Sequence, residues 1–462
     1  MRNQKKFLAA FLSLTTVLGI SACGAERDAE TTTAVTTTPA ATTNTLDDDI
    51  KNPVNIEEFV EEDKTLENPN LTYFGFYDMR VAGDIKPGVK LFEETYGGKI
   101  DYLNCAWGER IDKLQVLIAS GDSPDLVDKE DVTFPHLMSK NVYEDLTDYI
   151  DLSQPQWAGY ETLVENFSWN GEHYYYPFTA NAIPNCLIYD KGRFAEFGIE
   201  DPKELYEAGN WTWDTFRETM IKFMDNQEGA LGGVYGLLGN DIIISTGTPL
   251  IGIADGKITN NMSTLEVERA AAFLMKLRKD GLTARGDGMW SNEPEPLANG
   301  TVAFLGVGQW KITDFCKQYP EQEFGFVPYP RDPSADEYYY GSTNFGYMVP
   351  SGSKNVEGAA AFINIMRQCN TDPELMAVVK ESIMNDKQYS EEQYEFLSSF
   401  EQIANYNMVV NVSGGFNSDL TTLIDNMLIT VAFETGEDKS WTQLREENEG
   451  MINSVLDTYV SE

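Results

Sequence analysis

The chain has 462 residues, with acids outnumbering bases 74 to 34 and a net charge of −40. Such a surface repels phosphate backbones and anionic lipid, which argues against nucleic-acid binding and against electrostatic membrane attachment. The two histidines, His136 and His173, lie far apart and in no HExxH or Ser-His pattern, and no GxSxG motif or phosphate-binding loop is present.

From the N-terminus, "MRNQKK" carries Arg2, Lys5 and Lys6, and residues 7–20, "FLAAFLSLTTVLGI", are apolar. That run is shorter than the roughly 20 residues a bilayer span needs. A basic start, an apolar middle and small residues before a cut site mark an export signal over 1–22. The stretch Ile20-Ser21-Ala22-Cys23 also resembles the lipobox of bacterial lipoproteins, which implies cleavage before Cys23 and a diacylglycerol thioether on its sulfur. Loss of the signal would move the net charge from −40 to −43. Residues 23–69, with "TTTAVTTTPAATTNTLDDD", are too poor in apolar side chains to offset the entropy of ordering, and are expected to form a disordered spacer. A flexible chain of that length reaches roughly 35–40 Å on average.

Beyond the spacer, "LTYFGFY" (71–77) reads as a buried strand, and a helix is expected around 85–97, ending at Gly97-Gly98. A second strand follows in "KIDYLNCAW". In "GERIDKLQVLIASGD", Ile111, Leu114, Leu117 and Ile118 fall at helical spacing and Gly121 supplies the stop. With the short apolar run "PDLV" (124–127), this is the strand-helix alternation of a mainly parallel sheet. Trp211 and Trp213 open a helix continuing through Phe216, Met220 and Phe223, and are expected to pack in the core. Over 263–281, Ser263 and Glu266 predict a capping box, with Val267, Ala271 and Leu274 as the apolar face. Two late helices follow. One has Leu420, Leu423, Ile424, Met427, Leu428 and Val431 on a face; the other is capped by Ser440 and Gln443, with Leu444, Met451, Ile452, Val455 and Tyr459 below. The fold class is α/β.

Ligands of open α/β sheets lie outside the carboxyl ends of the strands. After the first strand come Tyr77, Asp78 and Arg80; after the second, Trp107, Glu109 and Arg110; after "PDLV", Asp128. In the second half, "TVAFLGVGQW" ends at Trp310, and Phe416 sits on the Gly-rich loop of "VNVSGGFNSD". Flat rings cover the C–H faces of a sugar, and Asp, Asn and Arg satisfy its hydroxyls. Each residue has a plainer alternative: Trp107 and Trp310 as packing residues, Asp128 as a turn cap, Asp78 and Arg80 as partners of each other.

The order of these motifs resembles the extracellular solute-binding proteins of family 1, the carbohydrate-type binding lipoproteins of ABC importers, over nearly the whole chain. "WGERIDKLQVLIASGDSPDLVD" matches the early helix and following strand. "GEHYYYPFTANAIPNCLIYDKGRFAEFGI" matches the crossover, including Tyr189, Asp190, Phe194 and Glu196, with departures at Thr179 and Cys186. "NWTWDTFRE", "NGTVAFLGVGQW", "FGFVPYPRDP" and "MVPSGSKNVEGAAAFINIM" follow in family order.

The resemblance implies a two-lobed periplasmic-binding-protein-like fold of type II. It places lobe 1 at 70–181 plus 350–405 and lobe 2 at 186–345 plus 406–462, with crossings near Asn181–Cys186 and Asn344–Pro350. It further implies a monomer on the outer face of the cytoplasmic membrane. That monomer would bind a sugar, in particular an oligosaccharide, through Asp78, Arg80, Trp107, Asp128, Asn181, Trp310, Asn344 and Phe416, and hand it to an ABC permease. Neither a cofactor nor a metal is expected, and no catalysis. Cys105, Cys186, Cys316 and Cys369 are irregularly spaced and read as free thiols rather than a zinc site or disulfides. The alternatives are a glycoside hydrolase, which needs only two suitably spaced carboxylates, a polysaccharide-binding surface lipoprotein without transport, and a binding protein for another solute. Ser351-Gly-Ser-Lys354 fits S-x-x-K but has no downstream Lys-Thr-Gly and reads as a turn.

Overall fold

The computed structural model describes residues 53–128, 134–181, 185–254, 257–285, 293–308, 311–341, 343–387, 390–391, 394–395, 398, 407–433, 435–436 and 438–459. The export signal, Cys23 and residues 24–52 of the expected spacer lie outside the described residues. Residues 53–69, expected to be disordered, instead carry a 3-10 turn at Glu57–Phe59 and pack on the body, because their few apolar side chains find the core. Ile56 is buried there, and Asn68 O accepts the Asn355 amide.

The principal elements in chain order begin with β1 (Leu71–Gly75), α1 (Lys86–Tyr96), β2 (Ile100–Asn104), α2 (Arg110–Ser120) and β3 (Leu126–Asp128). Next come β4 (Thr179–Asn181), β5 (Asn185–Asp190), α3 (Trp213–Asn226), β6 (Gly232–Gly236), α4 (Gly239–Ile244) and α5 (Leu265–Lys279). They are followed by β7 (Thr283–Ala284), β8 (Val302–Gly308), β9 (Phe324–Val327), β10 (Tyr339–Gly341), β11 (Thr343–Phe345) and β12 (Tyr347–Met348). The chain closes with α6 (Val356–Cys369), α7 (Pro373–Lys387), β13 (Asn407–Val409), α8 (Ser418–Ala432) and α9 (Trp441–Leu456).

Helix ends follow local chemistry. Gly97 and Gly121 adopt φ of 70° and 79° after α1 and α2, the left-handed geometry that stops a helix with least steric cost. Thr212 and Thr215 form a capping box at α3, and Ser440 with Gln443 does the same at α9. The cap of α5 falls one residue later than the sequence suggests. Thr264, rather than Ser263, accepts the N–H of Val267, so Glu266 lies within the first turn. Met451, expected on the apolar face of α9, is exposed, because α9 buries its face only at Trp441, Leu444, Ile452 and Leu456.

Two sheets organise the chain. The first has the order β12-β3-β1-β2, parallel among β1, β2 and β3, with β12 antiparallel on the β3 edge and Tyr347 opposite Asp128. The second has the order β7-β6-β8-β5-β9, in which β5 alone is reversed and is flanked by β8 and β9, each antiparallel to it. Between them in sequence, β4 and β11 pair antiparallel, with Asn344 opposite Ala180 and Thr343 opposite Asn181. Trp211 and Trp213 are buried. The Trp211 indole N–H donates to Pro328 O at 2.8 Å, and Trp213 stacks on Phe273 at 4.8 Å. Both extend the core from α3 beneath the second sheet.

One buried charge sits at the root of β4. Arg367 on α6 is 4% exposed. Its Nε donates to Gln156 O at 2.7 Å and its Nη1 to Phe178 O at 2.8 Å, while the guanidinium lies 3.4 Å from the centre of the Tyr160 ring. Phe178 immediately precedes β4, and its ring stacks on Tyr347 at 5.4 Å. The four cysteines among the described residues, Cys105, Cys186, Cys316 and Cys369, are free thiols.

Candidate functional site

In the first sheet, β1, β2 and β3 run parallel, so their carboxyl ends open on one edge. Asp128 closes β3. Its Oδ2 accepts the hydroxyl of Tyr73 at 2.5 Å and its Oδ1 that of Tyr77 at 2.8 Å. Burial, and after it the carboxylate of Asp128, drives the Tyr73 phenol well above its usual range, so it stays protonated and donates. For Tyr77 burial again leads, followed by Tyr347 and Asp128. Asp128 is therefore a carboxylate held at fixed orientation.

Beside it, Phe74, Phe76, Arg110, Leu114, Asp128 and Tyr143 line an open recess. Phe76 presents an exposed ring at the mouth, whereas Phe74 and Leu114 are buried. Trp107, on the single 3-10 turn after β2, is 57% exposed. The Arg110 guanidinium lies 4.0 Å from the centre of the Trp107 ring, and its Nη1 donates to the carbonyl of Trp107. A planar cation behind one face fixes the indole and leaves the other face open. Aromatic faces, a carboxylate and a guanidinium thus meet at one strand edge, which is the composition that holds a ring bearing hydroxyls.

The other expected site residues fall elsewhere. Asp78 and Arg80 form a bidentate pair, with Oδ2–Nη2 at 2.7 Å and Oδ1–Nε at 2.8 Å, and Arg80 approaches the Tyr102 ring at 5.9 Å. Their charges are spent largely on each other. Asn181 and Asn344 lie on the paired strands β4 and β11. Trp310 lies outside the described residues. Phe416 is 3% exposed and packs edge-on against Tyr459 at 5.2 Å, so the contact the structure shows for it is with the core.

Sequence reasoning passed over Tyr73 and Phe76 as site elements, because alternation in "LTYFGFY" marks them only as strand. It also passed over the second sheet's edge at Asn185 and Asp241. There the Asn185 amide donates to Asp241 Oδ1 at 3.0 Å and Oδ2 at 3.2 Å. The signal that could have found Asp241 is its place just beyond the carboxyl end of β6.

A family model described as bacterial extracellular solute-binding protein matches residues 89–393. The chain belongs to this family. Solved structures carry the same fold across most of its length. An ABC substrate-binding protein from Listeria monocytogenes in complex with cycloalternan aligns with a TM-score of 0.62 at 20% identity, covering 86% of this chain and 100% of that one. The sugar-binding protein MalE from Xanthomonas citri aligns at 0.63 and 14% identity, covering 84% and 98%. UgpB from Mycobacterium tuberculosis in complex with glycerophosphocholine aligns at 0.62 and 14% identity, covering 84% and 99%. No curated protein sequence matches the chain. These likenesses identify the two-lobed α/β fold of a solute-binding protein. Members of this family are binding proteins of the extracellular or periplasmic space. Among the described residues, no helix is long and apolar enough to cross a membrane, and no group of three or more His, Cys, Asp and Glu side chains could hold a metal ion.

Proposed function

We propose that this solute-binding protein is the sugar-binding subunit of an ABC importer, taking an oligosaccharide between lobes formed by 70–181 plus 350–405 and 186–345 plus 406–462. The observation that carries this reading is the exposed Trp107 ring, backed by Arg110, beside the recess where Asp128 is held by two tyrosines. Structural neighbours include a cycloalternan complex and a sugar-binding MalE, which supports the same ligand class. Asp78, Arg80, Asn181, Trp310 and Asn344 complete the proposed set, with the bidentate Asp78–Arg80 pair acting as one neutral hydrogen-bonding unit, while the core packing of Phe416 against Tyr459 removes it from the set. The lobes close about β4 and β11, ligand shifts the open–closed equilibrium, and the closed monomer docks on its permease. A diacylglycerol on Cys23 tethers the protein to the outer face of the cytoplasmic membrane, since two acyl chains give stable anchoring where one does not.

A thermal-shift panel tests the solute class, because a ligand that binds only the folded state raises its melting temperature. Maltotriose, lacto-N-biose, glycerophosphocholine, a tripeptide and spermidine are the probes. The expected result is a shift with at least one oligosaccharide and none with the others. A shift confined to glycerophosphocholine, peptide or polyamine overturns the sugar assignment. Separately, Cys23→Ala is expected to release the protein from membranes, and retention would refute the lipid tether.

A further inference from the structure

The second sheet carries its own polar edge. Its strands β6 and β8 are parallel, and β5 runs against β8 with Asn185 opposite Gly308, so Asn185 stands at the carboxyl edge of β8. The chain leaving β6 turns sharply at Gly236, whose φ is 93°; a Cβ there would lie 2.4 Å from Gly306 O. The Tyr329 hydroxyl donates to Leu237 O and fixes the turn. This brings Asn240 and Asp241 back over the edge beside Asn185. From a third segment, the Asn411 amide donates to Asn240 Oδ1 at 3.0 Å, and Asn411 Oδ1 in turn accepts the Ser413 N–H at 3.2 Å.

The hydrogen-bonding capacity of this group is only partly used. Asp241 accepts from one side chain, Asn185, through a single NH₂, although a carboxylate has about four acceptor positions. The Asn185 Oδ1 and the Asn240 NH₂ bond to no described residue. All four residues are half-buried. Burial raises the Asp241 pKa to about 6, which means the ionised group is short of hydration and a hydroxyl donor would relieve that shortage. The group contains no cation, so it suits a neutral ligand and opposes a phosphate or carboxylate.

We infer that Asn185, Asn240, Asp241 and Asn411 form a second polyol-recognition face, on the opposite lobe from the Trp107–Asp128 recess, that takes paired ring hydroxyls of a neutral sugar. This rests on the sugar reading above. Asp241 accepts two hydroxyls, while the Asn185 oxygen and the Asn240 amide supply the adjoining acceptor and donor. The closed cleft therefore grips the sugar by rings and a carboxylate on one wall and by amides and a carboxylate on the other, and selects against anionic solutes.

The test is calorimetric titration of the full chain, wild type and variants, with maltotriose, lacto-N-biose and glycerophosphocholine at pH 7.5. Asp241→Asn keeps the shape and one oxygen to accept the Asn185 amide. It is expected to weaken the best sugar by about tenfold or more, since a hydrogen bond to a charged group is lost, while unliganded melting at this pH is higher. Asn240→Ala, on the rim of the group, is expected to weaken it about fivefold, and it carries the test if the first variant fails to fold. Sugar affinity within about twofold of wild type in the folded variants overturns this inference and leaves the sugar reading intact. A wild type that binds neither sugar overturns both.

Discussion

Replacing Arg367 by alanine is expected to cost about 3–5 kcal/mol of stability, the range for stripping one partner from a buried charged network. Its guanidinium makes two hydrogen bonds to backbone carbonyls, at 2.7 Å and 2.8 Å, each worth about 1.5–3 kcal/mol when the donor is charged. The Tyr160 ring, 3.4 Å from the guanidinium carbon, adds about 1–2 kcal/mol. Against this stands the dehydration of the guanidinium. Burial is the largest influence on its pKa and lowers it. The alanine variant recovers that dehydration but leaves the carbonyls of Gln156 and Phe178 without their donors. Arg367→Lys keeps the charge and loses the fork, and falls between, near 2 kcal/mol. Urea unfolding followed by far-UV circular dichroism gives the difference through the shift in midpoint. A loss below about 1 kcal/mol in Arg367→Ala would mean that water takes over both carbonyls, and the reasoning from burial would fail.

Asp241→Asn should stabilise the unliganded protein at pH 7.5 and match wild type near pH 4. The folded-state pKa, about 6, exceeds the ~3.9 of a free aspartate. Stability from the protonated form is complete below the free value and is lost as pH rises through 6. Equal melting-temperature differences at the two pH values would refute this. Gly236→Ala should cost about 2–4 kcal/mol, because the residue is both left-handed and pressed against Gly306 O; denaturant midpoints within error of wild type would contradict it. Trp107→Ala should leave melting unchanged, since the ring is 57% exposed, yet weaken sugar binding by about 1 kcal/mol or more, roughly fivefold. Intact affinity in titration would remove Trp107 from the site.

The alternation of strand and helix, the glycine stops at Gly97 and Gly121 and the early parallel sheet were legible in the sequence, because short-range periodicity and steric preference decide them. The candidate site was legible only in part. The rule that ligands gather at strand ends picked out Asp128 and Trp107, whose surroundings in space suit a ligand. The same rule picked out Asp78 and Arg80 without showing that two residues of one turn would neutralise each other. Phe416 sits on a glycine-rich loop that reads as open. Its burial depends on Tyr459, a partner 43 positions further along that no local pattern reveals. Asp241 hides inside "GNDIII", which reads as the start of a buried helix. Only the tertiary turn at Gly236 sets it beside Asn185.

Gly346 is the only residue between β11 and β12, and a Cβ on it would meet the Tyr175 ring at 2.5 Å. Tyr347, the next residue, is the register partner of Asp128. The strand paired with β4 and the strand beside Asp128 are therefore joined through a single glycine, with no slack between them. In the proposed closure about β4 and β11, a pull on Asp128 from the solvent side would reach the pivot through that one residue, so grip and bending would be mechanically coupled.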